Sequence, residues 1–442
     1  MRYRACTSTL CAAGLALLAG CSETEPDPSG PGAGSGLPTG SGTSSSSSGQ
    51  PPTRLALAFE SVPYPTELSY VTDMAFAPGG SNELIVADLY GGYEVARMTE
   101  AGVEVVSRGK ADDVYAEYDA GQLALAVDPS FEETGYFYLA ANLARNHVVV
   151  RRYTLDREDP AGTVASAVVV FEVLVPSSPR WHNITSMGFD EQGIMWMLSG
   201  DKGLGKPTSD PETGPGQDET EPLGALLRVL PSAEGGYTVP ESVEPYSSEA
   251  HPAVVAIGIR SPWQGVYHAG RWIYGEVGLD AIEEINVIEG AGQNFGWPVV
   301  EGPCALDLYK NAPDCSQFAD PFIHFDRSRT SPYTLDDADA EPTSKRSVYA
   351  GWVYEPNDND RYAGLWNDVL VFGDAFVGFM RAAPLGGSGE SWHLGHLRFP
   401  SAWAQGPDGY VYAFTLSEEP SAKDPQDVSG RPSPLWRATL AQ

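Results

Sequence analysis

Basic side chains are scarce in this chain of 442 residues. Its 27 Lys and Arg stand against 59 Asp and Glu, a formal net charge of -32. That balance excludes a nucleic-acid binder, which needs positive charge to displace counterions from phosphates. It suits a soluble, self-repelling surface and favours divalent cations. Cysteine is scarce too. Cys6, Cys11 and Cys21 lie near the N-terminus, so only Cys304 and Cys315 remain for the rest of the chain. They lack the paired Cys/His units of a zinc site. In an oxidising compartment they read as one local disulfide stapling a loop. Few runs sustain a helical period over three turns, which argues against crossover helices and a parallel sheet. Beyond the N-terminus no segment is long and apolar enough to cross a bilayer.

The N-terminus is of a different kind. Arg2 and Arg4 form a short basic region, and Leu10 to Gly20 is apolar and rich in small residues. This is the form of a secretory signal, with a core shorter than a membrane span. Leu18-Ala19-Gly20-Cys21 resembles the bacterial lipobox. That resemblance implies cleavage before Cys21 and acylation of Cys21; the other reading is an ordinary cleaved signal beside a chance cysteine. Ser22 to Pro52 is mainly Ser, Gly, Pro and Thr, with too little apolar surface to fold. The expected organisation is a signal over 1–20, a lipidated cysteine and disordered tether over 21–52, and a folded unit over 53–442. Acyl chains would hold that unit at the cell envelope, with no span of its own.

Within 53–442 one unit recurs. An apolar strand meets a Pro/Asp/Gly turn, and a second apolar strand follows, often ending in an acid. Met74 to Asp88, Leu123 to Leu139, Met187 to Asp201, Val266 to Glu276, Tyr349 to Asp374 and Trp403 to Phe414 all follow it. Repeated hairpins with Gly/Pro turns predict an antiparallel all-β fold. Radial repetition uses many strands without open edges, so the expectation is a six-bladed β-propeller with long inserted loops. Asp88, Asp201, Glu276 and Asp374 end matching strands. They would lie at one height around the axis, either ringing a channel mouth or capping their own turns.

Several segments resemble the glucose/sorbosone dehydrogenase family. They are Gly121 to Phe131, Val148 to Leu155, His182-Asn183 with Met187 to Asp201, and Leu223 to Leu230. Two further blocks match most closely: Gly258-Ile259-Arg260-Ser261-Pro262-Trp263, and Glu276 to Pro298. The resemblance runs in order from about Met74 to Arg437. It implies a six-bladed propeller that binds pyrroloquinoline quinone (PQQ) and calcium and oxidises a sugar at its anomeric carbon, passing electrons to an external acceptor. His182 would be the general base, the natural residue for that task near neutral pH. Asp201 would orient it, as a carboxylate orients a catalytic imidazole. Arg260 would pair with quinone carboxylates, and Asp119 would stand beside the cofactor, where the family has Gln or Glu. The carbonyls of Gly278 and Leu279 would approach a cofactor-associated calcium. Glu284 and the carbonyl of Phe295 would form a structural calcium site, while Glu283 reads equally as part of a solvated loop pair. Lys202 replaces the family's Gly or Gln, Ser261 its Asn. Phe376 and Ser401 fall near the late basic positions that hold the quinone. On sequence alone, the cations for the cofactor reduce to Arg260 and Lys202. A propeller hosts many functions, so a non-catalytic binder of a glycan or protein is the competing reading.

Overall fold

Each of the six strand–turn–strand units folds as a hairpin, and each hairpin is the inner half of one blade. The computed structural model describes residues 56–441, apart from 100–101, 118, 176–180, 208–213, 307, 310–313, 329–330, 344, 363–367, 388 and 418–430. The expected signal, Cys21 and the tether lie outside the described residues.

The chain starts with β1 (Leu57–Val62), whose partner comes last. Blade 1 is β2 (Val71–Phe76), β3 (Glu83–Asp88), β4 (Gly92–Thr99) and β5 (Gly102–Lys110). Blade 2 is β6 (Gln122–Val127), β7 (Tyr136–Ala144), β8 (His147–Thr154) and β9 (Val168–Leu174). Blade 3 is β10 (Ile184–Phe189), β11 (Met195–Ser199), β12 (Ala225–Pro231), with β13 (Tyr237–Thr238) on its edge, and β14 (Val254–Ile257). Blade 4 is β15 (Pro262–His268), β16 (Arg271–Glu276) and β17 (Ile282–Ile288). After β18 (Gln293–Asn294) returns to pair with β14, β19 (Ile323–Asp326) completes it. Blade 5 is β20 (Val348–Val353), β21 (Val369–Asp374), β22 (Phe379–Pro384) and β23 (Trp392–His396). Blade 6 is β24 (Pro400–Gln405), β25 (Val411–Thr415), β26 (Leu435–Leu440) and β1, with Leu57 opposite Leu440. The N-terminal strand thus closes the ring and covers an edge that would otherwise invite pairing.

Inner strands pack in ring order, β2 on β6, β6 on β10, β10 on β15, β15 on β20, β20 on β24 and β24 on β2. Second strands are sandwiched between blades on both faces, so they read as continuous apolar runs rather than alternating ones. In β21 all six residues are buried. Each such Leu, Val or Phe contributes roughly 1.5–3 kcal/mol by leaving water. Between blades 5 and 6, Trp403 packs on Trp352 at 4.6 Å and on Tyr349 at 5.8 Å between centroids.

All six inner strands carry a register shift near their start. It falls between Val71 and Asp73, Gln122 and Ala124, Ile184 and Ser186, Trp263 and Gly265, Ala350 and Trp352, and Pro400 and Ala402. A bulge bends a strand and re-aims its neighbours. Here it sets the same approach for six connections at one end of the ring. At that end an outer strand finishes, the next inner strand begins, and each second strand turns into its third.

Candidate active site

His182 stands just ahead of β10, in a left-handed conformation with φ of 51°. Its backbone N–H donates to Asp119 Oδ2 at 2.9 Å, and its carbonyl accepts from Lys202 N at 3.2 Å. Close approach from blade 3's second strand needs Gly200, where a Cβ would lie 2.7 Å from the His182 Cβ and carbonyl oxygen. The chain then places Asp201 beneath the imidazole. Asp201 Oδ1 meets His182 Nδ1 at 2.5 Å and accepts from Gly203 N at 2.7 Å. Its Oδ2 accepts from the Trp297 indole at 2.7 Å and from Gly205 N at 3.0 Å.

This arrangement fixes tautomer and charge. Burial pushes Asp201 up, but the facing imidazole, Arg260 and the indole N–H outweigh it and hold the carboxyl below its usual range. Burial, aided by the Arg260 charge, lowers the His182 pKa despite Asp201. A neutral imidazole donating Nδ1–H to a carboxylate leaves the Nε2 lone pair free to accept a proton. Nε2 has no hydrogen-bond partner among the described residues. The imidazole is only 11 % exposed, so His182 both caps Asp201 and presents a base.

Asp119, ahead of β6, is brought to the same place. Its backbone carbonyl accepts from Asn183 Nδ2 at 2.7 Å, and its Oδ1 is buried with no partner. Burial raises its pKa to about 7, against the His182 N–H, Lys202 and Arg260. Lys202 is buried, and its ammonium donates to Asn183 Oδ1. Burial lowers it to about 8, with Asp119 and Asp201 pulling the other way. Arg260, ahead of β15, is buried over the Trp297 ring at 5.2 Å. It donates to the carbonyls of Val277 at 2.6 Å and Gly278 at 3.2 Å. Its Nε is buried without a partner, and it makes no ion pair among the described residues.

Asp119, His182, Asp201 and Arg260 therefore converge, with Lys202 among them. The matching strand-end acids do not form an open ring. Asp88 accepts from Tyr90 N and Gly92 N, Glu276 from Arg260 N and Ser261 N, and Asp374 from Ser347 N, Phe376 N and Val377 N. Each caps nearby backbone, and only Asp201 reaches an imidazole.

More cations reach this mouth than the sequence suggested. Arg327, at the end of β19, donates to Gly278 O at 2.9 Å and pairs with Glu283. Arg346, ahead of β20, is 1 % exposed and among the described residues donates only to the carbonyls of Thr343, Lys345 and Ser328, leaving its Nε unpartnered. Around Phe376 lie the Lys345 ammonium, 5.5 Å from the ring, and Arg398 Nε, which donates to the Phe376 carbonyl at 3.4 Å. Ser401 is buried at the bulge of β24 and donates to Phe414 O at 3.5 Å. Basic residues thus stand in the connections near these positions, rather than at Phe376 or Ser401 themselves.

The residues assigned to metal divide. Gly278 O is occupied by two arginines, and Leu279 is half-buried beside it. As placed, this pair does not fit a calcium. Glu284 is different. It lies in β17, buried, with Oε2 accepting from Asn286 at 3.0 Å and Oε1 from Gly302 N. Burial raises it to about 7, and Glu301 and Asp320 add to the rise. The buried Phe295 carbonyl makes no hydrogen bond among the described residues. Uncompensated carboxylate and an open carbonyl suit a hard cation, although no group of three metal-ligating side chains occurs among the described residues. Glu283 is no solvated loop residue: strand pairing with Phe325 buries it completely, against Arg327 and the Val348 N–H. Cys304 and Cys315 form the expected disulfide.

Residues 68–351 match the sequence pattern of the glucose/sorbosone dehydrogenase family. The HIPL1 protein of Arabidopsis thaliana is 24 % identical over 246 residues, 43 % of this chain and 34 % of that protein. The chain thus spans about a third of that relative's length. Among solved structures, the PQQ-bound aldose sugar dehydrogenase of Streptomyces coelicolor superposes with a TM-score of 0.61 at 17 % identity, covering 88 % of this chain and all of that one. The apo soluble aldose sugar dehydrogenase of Escherichia coli gives 0.62 at 18 % identity, covering 87 % of this chain and all of the other. At such identities the superpositions speak for the fold.

Proposed function

The chain belongs to the glucose/sorbosone dehydrogenase family, and on that premise we propose that it is a PQQ-dependent dehydrogenase oxidising a sugar at its anomeric carbon. The observation that carries this reading is the His182–Asp201 pair at 2.5 Å, its Nε2 open, in the field of the Arg260 guanidinium, which makes no ion pair among the described residues. Oxidation removes a proton from the anomeric hydroxyl and a hydride from the same carbon, leaving a lactone. His182 Nε2 takes the proton, and Asp201 stabilises the imidazolium that forms. When bound, PQQ supplies the two-electron acceptor for the hydride. Arg260, with its partnerless buried Nε, fits a planar carboxylate of that cofactor. Lys345 and Arg346 bring further positive charge to the same mouth, where Arg327 and Arg398 stand as ion pairs with Glu283 and Glu341. Glu284 and Phe295 O would hold calcium as a structural ion.

The protein would act outside the cytoplasm, anchored by acylated Cys21, and would hand its electrons to an external acceptor. No helix among the described residues is long and apolar enough to cross a membrane. The test is reconstitution with PQQ, followed by dye reduction over a panel of sugars. Turnover that depends on added quinone supports the reading. A protein that binds no quinone defeats it and leaves the non-catalytic binder.

A further inference from the structure

A cavity of about 610 Å³ opens on blade 1, at the same end of the ring as His182. Three segments wall it: residues 67–69 ahead of β2, the turn from Asp88 to Gly92 between β3 and β4, and the last residues of β5. The walls are braced from within. Asp88 Oδ1 accepts from Tyr90 N at 3.0 Å and Gly92 N at 2.7 Å. Glu94, fully buried, accepts from the Tyr64 hydroxyl at 2.6 Å and Glu67 N at 3.0 Å, and faces Arg108 Nε at 3.4 Å. Two opposite charges on the wall, Asp88 and the exposed Lys110, attract each other without bonding. Asp88 Oδ2 and the Lys110 ammonium make no hydrogen bond or ion pair among the described residues. Beside them stands the half-buried ring of Tyr90, edge-on to Tyr70 with centroids 6.4 Å apart.

We propose that this cavity is a saccharide-binding pocket, which seats a pyranose unit of a glycan other than the unit reaching His182. A pyranose has an apolar C–H face and a rim of vicinal hydroxyls. Tyr90 offers a rigid aromatic surface to the face. Lys110 donates to one hydroxyl, and Asp88 Oδ2 accepts from its neighbour. Glu67, Asp88 and Glu94 oppose binding of phosphates or other anions. The volume lies in the range of small-molecule sites, with a few convergent polar groups on a partly apolar wall.

The pocket adjoins the catalytic cluster through two routes. The chain leaving Lys110 becomes the segment that carries Asp119, with Ala111 N bonded to Gly91 O at 2.9 Å on the way. Tyr70 lies between, its hydroxyl pushed well up by burial, with Tyr90 and Asp119 adding to the effect. That the reducing end of the same glycan is oxidised at His182 rests on the proposed function; the pocket itself does not.

The test uses the full chain reconstituted with PQQ, and Lys110→Met and Tyr90→Ala variants. Tyr90 packs on Tyr70, so the exposed Lys110 provides the variant that keeps its fold. Gluco-, galacto- and manno-configured hexoses are compared with their trisaccharides by calorimetry and turnover. Wild type should bind a trisaccharide at least about tenfold more tightly than its hexose. The variants should lose that advantage, raising KM for the trisaccharide about tenfold with kcat unchanged, the pattern of lost uniform binding. KM for the hexose should not move. A wild type indifferent to chain length, or variants that retain the preference, would overturn the pocket while sugar oxidation stands. Length-dependent binding that the variants abolish, in a protein that oxidises no sugar, would support the pocket and reject the dehydrogenase.

Discussion

Replacing His182 by Ala separates a chemical role from a structural one by magnitude. The imidazole is 11 % exposed and bonded to Asp201, so the change cannot be free for the fold. Asp201 would keep three donors, from Gly203, Gly205 and Trp297. The loss is then one hydrogen bond to a charged group, about 1.5–3 kcal/mol, not the ~0.5 kcal/mol of an open channel position. Ala tolerates the left-handed backbone at this position less well than His, which adds to the loss. Against a net stability of roughly 5–15 kcal/mol, such a loss leaves nearly all molecules folded at 25 °C. Specific activity would change less than about twofold through folding alone. Loss of a general base costs at least about 100-fold. Melting temperature and quinone-dependent dye reduction should therefore be measured on one preparation, with imidazole added back in solution. We expect a lower melting temperature, a turnover down by at least about 100-fold, and partial recovery with imidazole. Turnover within about threefold of wild type would refute the assignment.

Lys202 lowers the His182 pKa as Arg260 does. Lys202→Met should raise it, moving the acid limb of kcat/KM to higher pH; an unmoved limb would count against their coupling. Arg260→Ala should weaken PQQ binding at least about tenfold in a fluorescence titration, while an unchanged affinity would place the cofactor elsewhere. Burial raises Glu284 from its ordinary 4.5 to about 7. Between those values the unfolded chain has already lost the proton that the folded chain keeps, so stability falls as pH rises. Excess calcium should flatten that part of the melting-temperature profile relative to chelator, and Glu284→Gln should lessen the slope, to which buried Asp73, Asp119 and Glu283 also contribute, and remove the calcium effect. A wild-type profile identical with and without calcium would reject a cation there. Cys21→Ala should move the protein from the membrane fraction to the soluble one; a variant still pelleting in high salt would point to another anchor.

The inner half of every blade was legible in the sequence, because apolar strands and Pro/Asp/Gly turns are local signals. Ring closure was not. Val62 opposite Leu435 and Leu57 opposite Leu440 join the two ends of the fold, and nothing local at either end announces the pairing. Motifs gave His182, Asp201 and Arg260, where side-chain type and spacing both matter. Arg327, Arg346 and Arg398 were invisible to periodicity, since they lie in connections. A usable signal existed in position: Arg346 stands two residues before β20, and Arg398 two before β24, where Arg260 stands relative to β15. Glu283 misled for the opposite reason. Two adjacent acids look solvated, yet strand pairing turns one to Arg327 and the other to Asn286.

The proposed catalytic pair also has a structural origin that the ring makes visible. In blade 2, Asn142 ends the second strand's equivalent stretch and accepts from Gly121 N at 3.2 Å, just ahead of the inner strand. In blade 4, Glu276 accepts from Arg260 N and Ser261 N, and in blade 5 Asp374 accepts from Ser347 N. In blades 2, 4 and 5 a side chain at the end of the second strand thus pins the backbone that leads into the first. Blade 3 departs from this in one respect. The His182 N–H is taken by Asp119 of the neighbouring blade, so Asp201 holds the imidazole of the same residue instead of its backbone. The change of partner turns a fold-holding contact into one that orients an imidazole, while the three remaining donors hold the Asp201 carboxylate in place. Capping Asp201 and the proposed role as base are therefore compatible at His182. The same contact would serve both, with Asp119 taking the backbone N–H that would otherwise compete for Asp201.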